Sequence, residues 1–192
     1  MNLQPLVLEG SHVRLDPLTT EHLTAFCEAG REWSLTPENV RAGIEAALAQ
    51  QRAGLALPFA TIAKASGQVV GGTRFLNISQ EHRRLEIGST WISFPWRRTA
   101  INTEAKFLML EHAFERLGCV RVEFQVDALN EPSRVAVRRL GAKEEGTLRS
   151  YRINGAGETH NIVIYSIIES EWPDVRVRLQ EMMNRPRDAH SE

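Results

Sequence analysis

Arg97 and Arg98 stand side by side in a short turn, Arg97-Arg98-Thr99-Ala100-Ile101-Asn102. The turn lies between an alternating apolar segment, Leu85–Ser93, and a helix-forming run that starts at about Thr103. Two guanidiniums supply paired N–H donors whose spacing suits phosphate oxygens. The first turn of a helix adds four backbone N–H groups without intrahelical partners, at the positive end of the helix dipole. Strand, basic turn and helix start together make a place for phosphate. A solvated connector is the plainer reading of the same turn. No GxxxxGK[ST] run and no GxGxxG after a strand occurs, so neither a Walker-type loop nor a dinucleotide fold is supported.

A second such unit follows. Val122, Phe124 and Val126 alternate with Glu123, Gln125 and Asp127, giving a strand with one apolar face. Asn130 is placed to cap a helix, with Pro132 in the first turn, where a missing N–H does no harm. Val135 and Leu140 give that helix a buried side, and Gly141 ends it. Two adjacent strand ends thus each deliver a helix N-terminus to one region. A ligand with several phosphates and a long neutral arm would suit the cleft between them.

The remaining elements frame these units. Val13–Leu18 reads as a first strand, and Thr19 or Thr20 caps a helix that runs to about Ala29, with Gly30 as its stop. Glu38–Ala53 is a second helix, with Val40, Ile44, Ala47 and Leu48 on one face. Pro58–Ala65 and Val69–Ile78 form a hairpin about Ser66-Gly67-Gln68, and Gly71-Gly72 marks a bulge. After Gly146, the strands Thr147–Ile153 and Thr159–Ile167 meet at Asn154-Gly155-Ala156-Gly157. Trp172–Asn184 is a closing amphipathic helix, and residues 185–192 are a polar tail. The pattern predicts one α/β domain over residues 1–184, with about seven strands and helices on both faces.

The ordered set Leu85-Glu86-Ile87-Gly88, Trp91, Arg97–Asn102, Thr103-Glu104-Ala105-Lys106, Asn130 with Ser133, and Leu140-Gly141-Ala142 resembles the GNAT N-acetyltransferase superfamily. Within it, the chain is similar to the RimJ/RimL-like enzymes, whose founders acetylate N-terminal amines of ribosomal proteins. The similarity covers about residues 8 to 180. It implies a mixed, mostly antiparallel sheet splayed between the fourth and fifth strands, here Leu85–Ser93 and Arg121–Asp127. It also implies acetyl-CoA as cosubstrate, lying in that gap, and direct transfer of the acetyl group to a primary amine.

The resemblance assigns roles residue by residue. The backbone of Trp91, Ile92 and Ser93 would bond the pantetheine arm and the thioester carbonyl, and Pro95 supports the parting of the strands, because it cannot donate to a ladder. The family's pyrophosphate turn, Gln/Arg-x-x-Gly-x-Gly/Ala, falls on Arg97–Asn102, with Thr103 following. Its small positions are altered to Ala100 and Asn102; alanine disfavours positive φ, whereas asparagine tolerates it. Asn130 would hydrogen-bond the cofactor arm. Many relatives carry a tyrosine as general acid where this chain has Val137; RimL-like members use the serine instead, so the resemblance implies Ser133, directly or through water, as proton donor to the departing thiolate. The glutamate base of RimL-like enzymes falls on Arg152 and does not carry over. Glu86 is the substitute, pointing away from Leu85 and Ile87; pairing with Arg84 or Arg121 is its structural alternative. Trp33, in the loop after the first helix, is expected at the acceptor pocket.

Other chemistries find little footing. The six histidines show no HxxxH or HExxH pattern, so no metal is expected, and His112 reads as a helix surface residue. No GxSxG elbow occurs. A net charge of −1 gives no general pull toward nucleic acid, and no apolar run reaches membrane-spanning length. Cys27 and Cys119 are isolated, which suits a reducing, cytoplasmic setting and small buried apolar roles. The acceptor is left open between protein N-termini and small amines. Alternatives to acetyl transfer are another acyl group, such as succinyl, and a non-catalytic acyl-CoA-binding domain. Specificity is expected in Arg31–Thr36, Gln80–Arg84 and Arg149–His160. A homodimer contact is expected on the hairpin strands or the final helix.

Overall fold

The computed structural model describes residues 1, 3–34 and 36–184. Leu35 of the expected specificity loop and the polar tail 185–192 lie outside the described residues. Eight strands build the sheet: β1 (Leu8–Glu9), β2 (Val13–Pro17), β3 (Leu57–Ala63), β4 (Gln68–Ser79), β5 (Arg84–Ile92), β6 (Arg121–Asp127), β7 (Lys143–Ile153) and β8 (Thr159–Ile168). Their order is β1-β2-β3-β4-β5-β6-β8-β7, antiparallel throughout except for the parallel pair β5–β6. The expected count of seven is one short. Leu8–Glu9 pairs with β2 over only two residues, too few to leave an alternating pattern. β7 also begins four residues before the expected Thr147, because pairing with β8 carries it through the non-alternating run Lys143-Glu144-Glu145-Gly146.

The helices are α1 (Leu23–Ala29), α2 (Pro37–Arg52), α3 (Ala100–Glu111), α4 (Glu131–Leu140) and α5 (Trp172–Asn184). α1 and α2 cover β3 and β4 on one face, closing a small core of Leu18, Phe26, Val40, Ile44 and Ala47. α3 and α5 pack on the other face over the main core, where Leu85, Ile87, Val122, Phe124 and Tyr165 meet Met109, Leu110 and Leu179. α3 continues as a π-helical turn, His112–Arg116. His112 is not a surface residue: its ring stacks on Phe75 at 6.2 Å, and burial lowers its pKa. Glu104 of α3 accepts the N–H groups of Ser11, His12 and Val13 at 2.8, 2.6 and 2.7 Å, pinning the start of β2 to the helix. None of the helices described is long and apolar enough to cross a membrane.

Candidate active site

β5 and β6 pair at only three positions, Arg84 with Arg121, Leu85 with Val122 and Glu86 with Glu123. Beyond Glu86 they part, while β5 stays paired with β4 as far as Ile92 and β6 stays paired with β8 as far as Asp127. The parting follows from geometry on the β5 side. Ser89 takes φ of 47°, and Ser89 and Thr90 together stand opposite the single residue Thr73. Such a bulge bends its strand and reverses which side chains face which layer. Glu86 and Gly88 therefore share the α1/α2 face with Trp91, whereas Thr90 joins Leu85 and Ile87 on the α3 face. The bulge predicted at Gly71-Gly72 lies on these strands, but the ladder irregularities fall at the neighbouring Val70, at Ser89–Thr90 and between Leu76 and Ser79.

Two helix starts face this opening. Thr99, not Asn102, precedes the first turn of α3: its Oγ1 accepts the Ile101 N–H at 3.3 Å and donates to Trp96 O at 2.7 Å. Ala100, Ile101, Asn102 and Thr103 are thus the first helical residues, three positions earlier than the sequence suggests. The left-handed residue is Arg98, with φ of 57°, rather than Ala100 or Asn102. The structure separates the two arginines. Both are exposed, but Arg97 folds back, donating from Nε to Ile92 O at 3.0 Å and lying over the rings of Phe94 (3.9 Å) and Trp33 (5.3 Å), whereas Arg98 makes no such contact among the described residues. At the second helix start, Asn130 Oδ1 accepts the Ser133 N–H at 3.2 Å. Asn130 Nδ2 and Ser133 Oγ have no partner among the described residues.

Of the three residues expected to lend backbone groups to the gap, only Ile92 faces it. Ser93 N donates to Val70 O at 2.9 Å, so Ser93 faces β4; strand backbone alternates, so Trp91 faces β4 as well and Ile92 faces away. The Trp91 ring stacks edge-on with Phe26 at 5.2 Å and with Trp33 at 5.6 Å. A Cβ on Gly72 would stand 2.9 Å from Trp91 Nε1, so this packing needs glycine there. Trp33 belongs to this aromatic cluster, and its loop is tied to the turn after β5 by the Phe94 N–H, which donates to Glu32 Oε1 at 2.6 Å.

Glu86 is 3% exposed and sits on the last rung before the strands part. Neither Arg84 nor Arg121 pairs with it. Arg121 is held by Glu123 (2.9 Å) and Glu145 (2.5 Å), and the partner of Glu86 is Asn77 Nδ2 at 2.6 Å. Burial raises the Glu86 pKa above the ordinary carboxylate range; the Asn77 hydrogen bond and the Arg152 charge oppose that, and Glu123 adds to it. Its carboxylate lies over Gly88, where a Cβ would be 2.6 Å from Oε1.

Sequence reasoning missed two cations. Lys106, on the buried side of α3, donates to Thr90 Oγ1 at 2.6 Å and Thr73 Oγ1 at 2.9 Å with no carboxylate partner among the described residues, and burial lowers its pKa to about 7. Arg74 lies on the α1/α2 face of β4, beside the cavity under α2. Both occur where the alternation calls for an apolar residue, which is the one signal that could have found them. His160, which nothing in the sequence singled out, bonds through Nδ1 to Asp127 at the far end of β6, with Nε2 3.0 Å from Asn154 Nδ2.

Comparison with known proteins matches this geometry. Residues 12–143 match the family model described as an acetyltransferase (GNAT) domain. The curated Bacillus subtilis (strain 168) protein described as the uncharacterized N-acetyltransferase YoaA is 30% identical over 102 residues, which is 53% of this chain and 56% of that protein. The chain thus spans little more than half the length of that relative. The crystal structure of an acetyltransferase candidate from T. thermophilus is 35% identical, covers 93% of this chain and 97% of its own, and superposes with a TM-score of 0.84. RimJ of Mycobacterium smegmatis, solved with a CoA disulfide, shares the fold at 24% identity, with a TM-score of 0.76 over 93% of each chain. With its open β5–β6 pair and the two helix starts beside it, the chain belongs to the GNAT family of acetyltransferases.

Proposed function

We propose that the chain transfers the acetyl group of acetyl-CoA directly to a primary amine, on a protein N-terminus or a small molecule, within a ternary complex. The observation that carries this reading is the three-rung β5–β6 pair, which opens beside the N-termini of α3 and α4. The amides of Ala100, Asn102 and Thr103, beside the capped Ile101, and the exposed guanidinium of Arg98 suit a diphosphate. Arg97 acts on the same region indirectly, by fastening the turn to Ile92 and Phe94. The Ile92 N–H suits an amide or thioester carbonyl of the pantetheine arm, and the free Asn130 amide suits another. The CoA-bound relative of the same fold supports this placement.

Glu86 accepts the proton that the acceptor amine releases as it attacks the thioester carbonyl. The C–N bond forms as the C–S bond breaks, and the thiolate leaves with the electron pair of that bond. Ser133 Oγ passes a proton to the sulfur, directly or through water, and takes one back from solvent. A thiolate is tolerable near neutral pH, so a weak acid suffices. Turnover of acetyl-CoA with a panel of amines, followed by mass spectrometry of the products, tests the reading. Thermal stabilisation by acetyl-CoA without turnover would make the chain a binding domain, and preference for succinyl-CoA would change the acyl group. Gel filtration with light scattering tests the expected homodimer.

A further inference from the structure

Under α2, on the face of the sheet that carries Glu86, lies a cavity of about 170 Å³. Its apolar walls are Leu18, Phe26, Val40, Ile44 and Trp91, and it reaches the bulge at Ser89. That size is close to the ~150 Å³ of a cavity known to hold benzene, so it has room for one small apolar side chain. Arg74 lines the same cavity, and no carboxylate does among the described residues.

Arg74 is the half-buried guanidinium of this face that the chain leaves without a partner. It makes no hydrogen bond or ion pair among the described residues, whereas Arg121, Arg134 and Arg138 are all held by glutamates. Glu86, on the same face of the neighbouring strand, feels the charges of Arg152 and Glu123 and bonds Asn77 instead. Taking a guanidinium partly out of water without a counter-charge is costly unless something else supplies one. Arg74 stands directly opposite Gly88, the residue over which the Glu86 carboxylate lies. Cation and apolar cavity therefore lie on the strand pair, β4–β5, that also carries the Glu86 carboxylate.

We infer that the acceptor is a small amine that also bears a free carboxylate and a compact apolar group, as an apolar amino acid does. Arg74 grips the carboxylate through its paired N–H donors, the cavity takes the apolar group, and the amine is left toward Glu86. The inference rests on the acetyl-transfer reading and narrows it. Peptide and protein N-termini, which carry an amide where this site expects a charge, become poor acceptors.

The test is calorimetric binding of N-acetyl-leucine and N-acetyl-leucinamide, as product mimics, to the CoA-loaded protein. The free acid is expected to bind at least tenfold more tightly than the amide, and Arg74→Gln is expected to bring the two affinities together. Equal affinities in the unaltered protein, no binding of either compound, or a preference that survives Arg74→Gln each overturns the inference. If Arg74→Gln fails to fold, the acid–amide comparison in the unaltered protein still decides. A separate titration with acetyl-CoA keeps the two ideas apart: failure there removes the transferase reading itself, whereas acetyl-CoA binding with no acid preference removes only the carboxylate-bearing acceptor.

Discussion

Asn77 Nδ2 donates a 2.6 Å hydrogen bond to Glu86 Oε2 across the β4–β5 pair, and Asn77 holds φ of 48° at the ladder irregularity beyond Leu76. Asparagine accepts that backbone more readily than most residues, so one side chain serves both the bend and the carboxylate. The bond works against burial, which raises the Glu86 pKa. Activity should therefore rise with pH through a Glu86 value above the usual carboxylate range. Asn77→Gly, which keeps the backbone but removes the bond, should move that limb to higher pH, and Glu86→Gln should abolish it. A pH–rate profile of kcat/KM checks both.

The same shift has a signature in stability. Because the folded value of Glu86 is raised, its contribution is full below the ordinary 4.5 and is lost as the pH rises through the folded value. The stability of the unaltered protein relative to Glu86→Gln should fall across that window. Urea midpoints measured on both proteins at several pH values give the sign.

Gly88→Ala places a methyl group 2.6 Å from Glu86 Oε1 and 3.0 Å from Leu76 Cδ1, both at the ends of movable side chains. The fold should survive while the carboxylate is displaced. Turnover should fall on the order of tenfold to a hundredfold, the usual consequence of misplacing a reacting group by about an ångström. Circular dichroism beside steady-state kinetics separates this outcome from unfolding.

Ser133 Oγ has no partner among the described residues, so Ser133→Ala leaves no orphan group behind. Its backbone N–H still meets the Asn130 cap. The melting temperature should hold while kcat drops about tenfold to a thousandfold, at or below the usual range for a general acid. An unchanged kcat would restrict Ser133 to the helix start.

Arg98 and Arg97 should separate in binding. Arg98→Ala should weaken acetyl-CoA with a reduced salt dependence, because a guanidinium not tied to the fold is lost. Arg97→Ala should also lower thermal stability, since Arg97 holds Ile92 O and covers Phe94. Titration calorimetry at two salt concentrations, paired with melting curves, distinguishes them.

Lys106 makes the clearest pH prediction for stability. Its folded pKa of about 7 lies below the ordinary 10.5, so between these values the unfolded chain binds more protons and the stability of the folded state rises with pH. Lys106→Met should remove that dependence. Thr73 Oγ1 and Thr90 Oγ1 lie 2.9 Å apart and satisfy each other once the lysine is gone. The variant should gain most over the unaltered protein near pH 7 and lose that advantage as the pH approaches about 10. Chemical denaturation across that range tests it.

What this chain's sequence determines by itself is the series of local patterns. The two-residue alternation of Val122, Phe124 and Val126, the stripe of Val40, Ile44 and Ala47, the Asn130 cap and the Gly141 stop depend on neighbours a few positions away, and the folded chain keeps them all. So all the elements but the two-residue β1, and their order, were legible, and the opening between the fourth and fifth expected strands came from the family resemblance. The tertiary structure alone decided the rest. It placed the left-handed turn residue at Arg98, drew Arg97 onto Phe94, gave Glu86 to Asn77 rather than to an arginine, and buried Lys106 and half-buried Arg74 with no carboxylate partner among the described residues. Each of those outcomes depends on which strand lies beside which and on the bulge at Ser89. Pairing between residues far apart in the chain sets a charge's burial and its partners, and no local pattern encodes that choice.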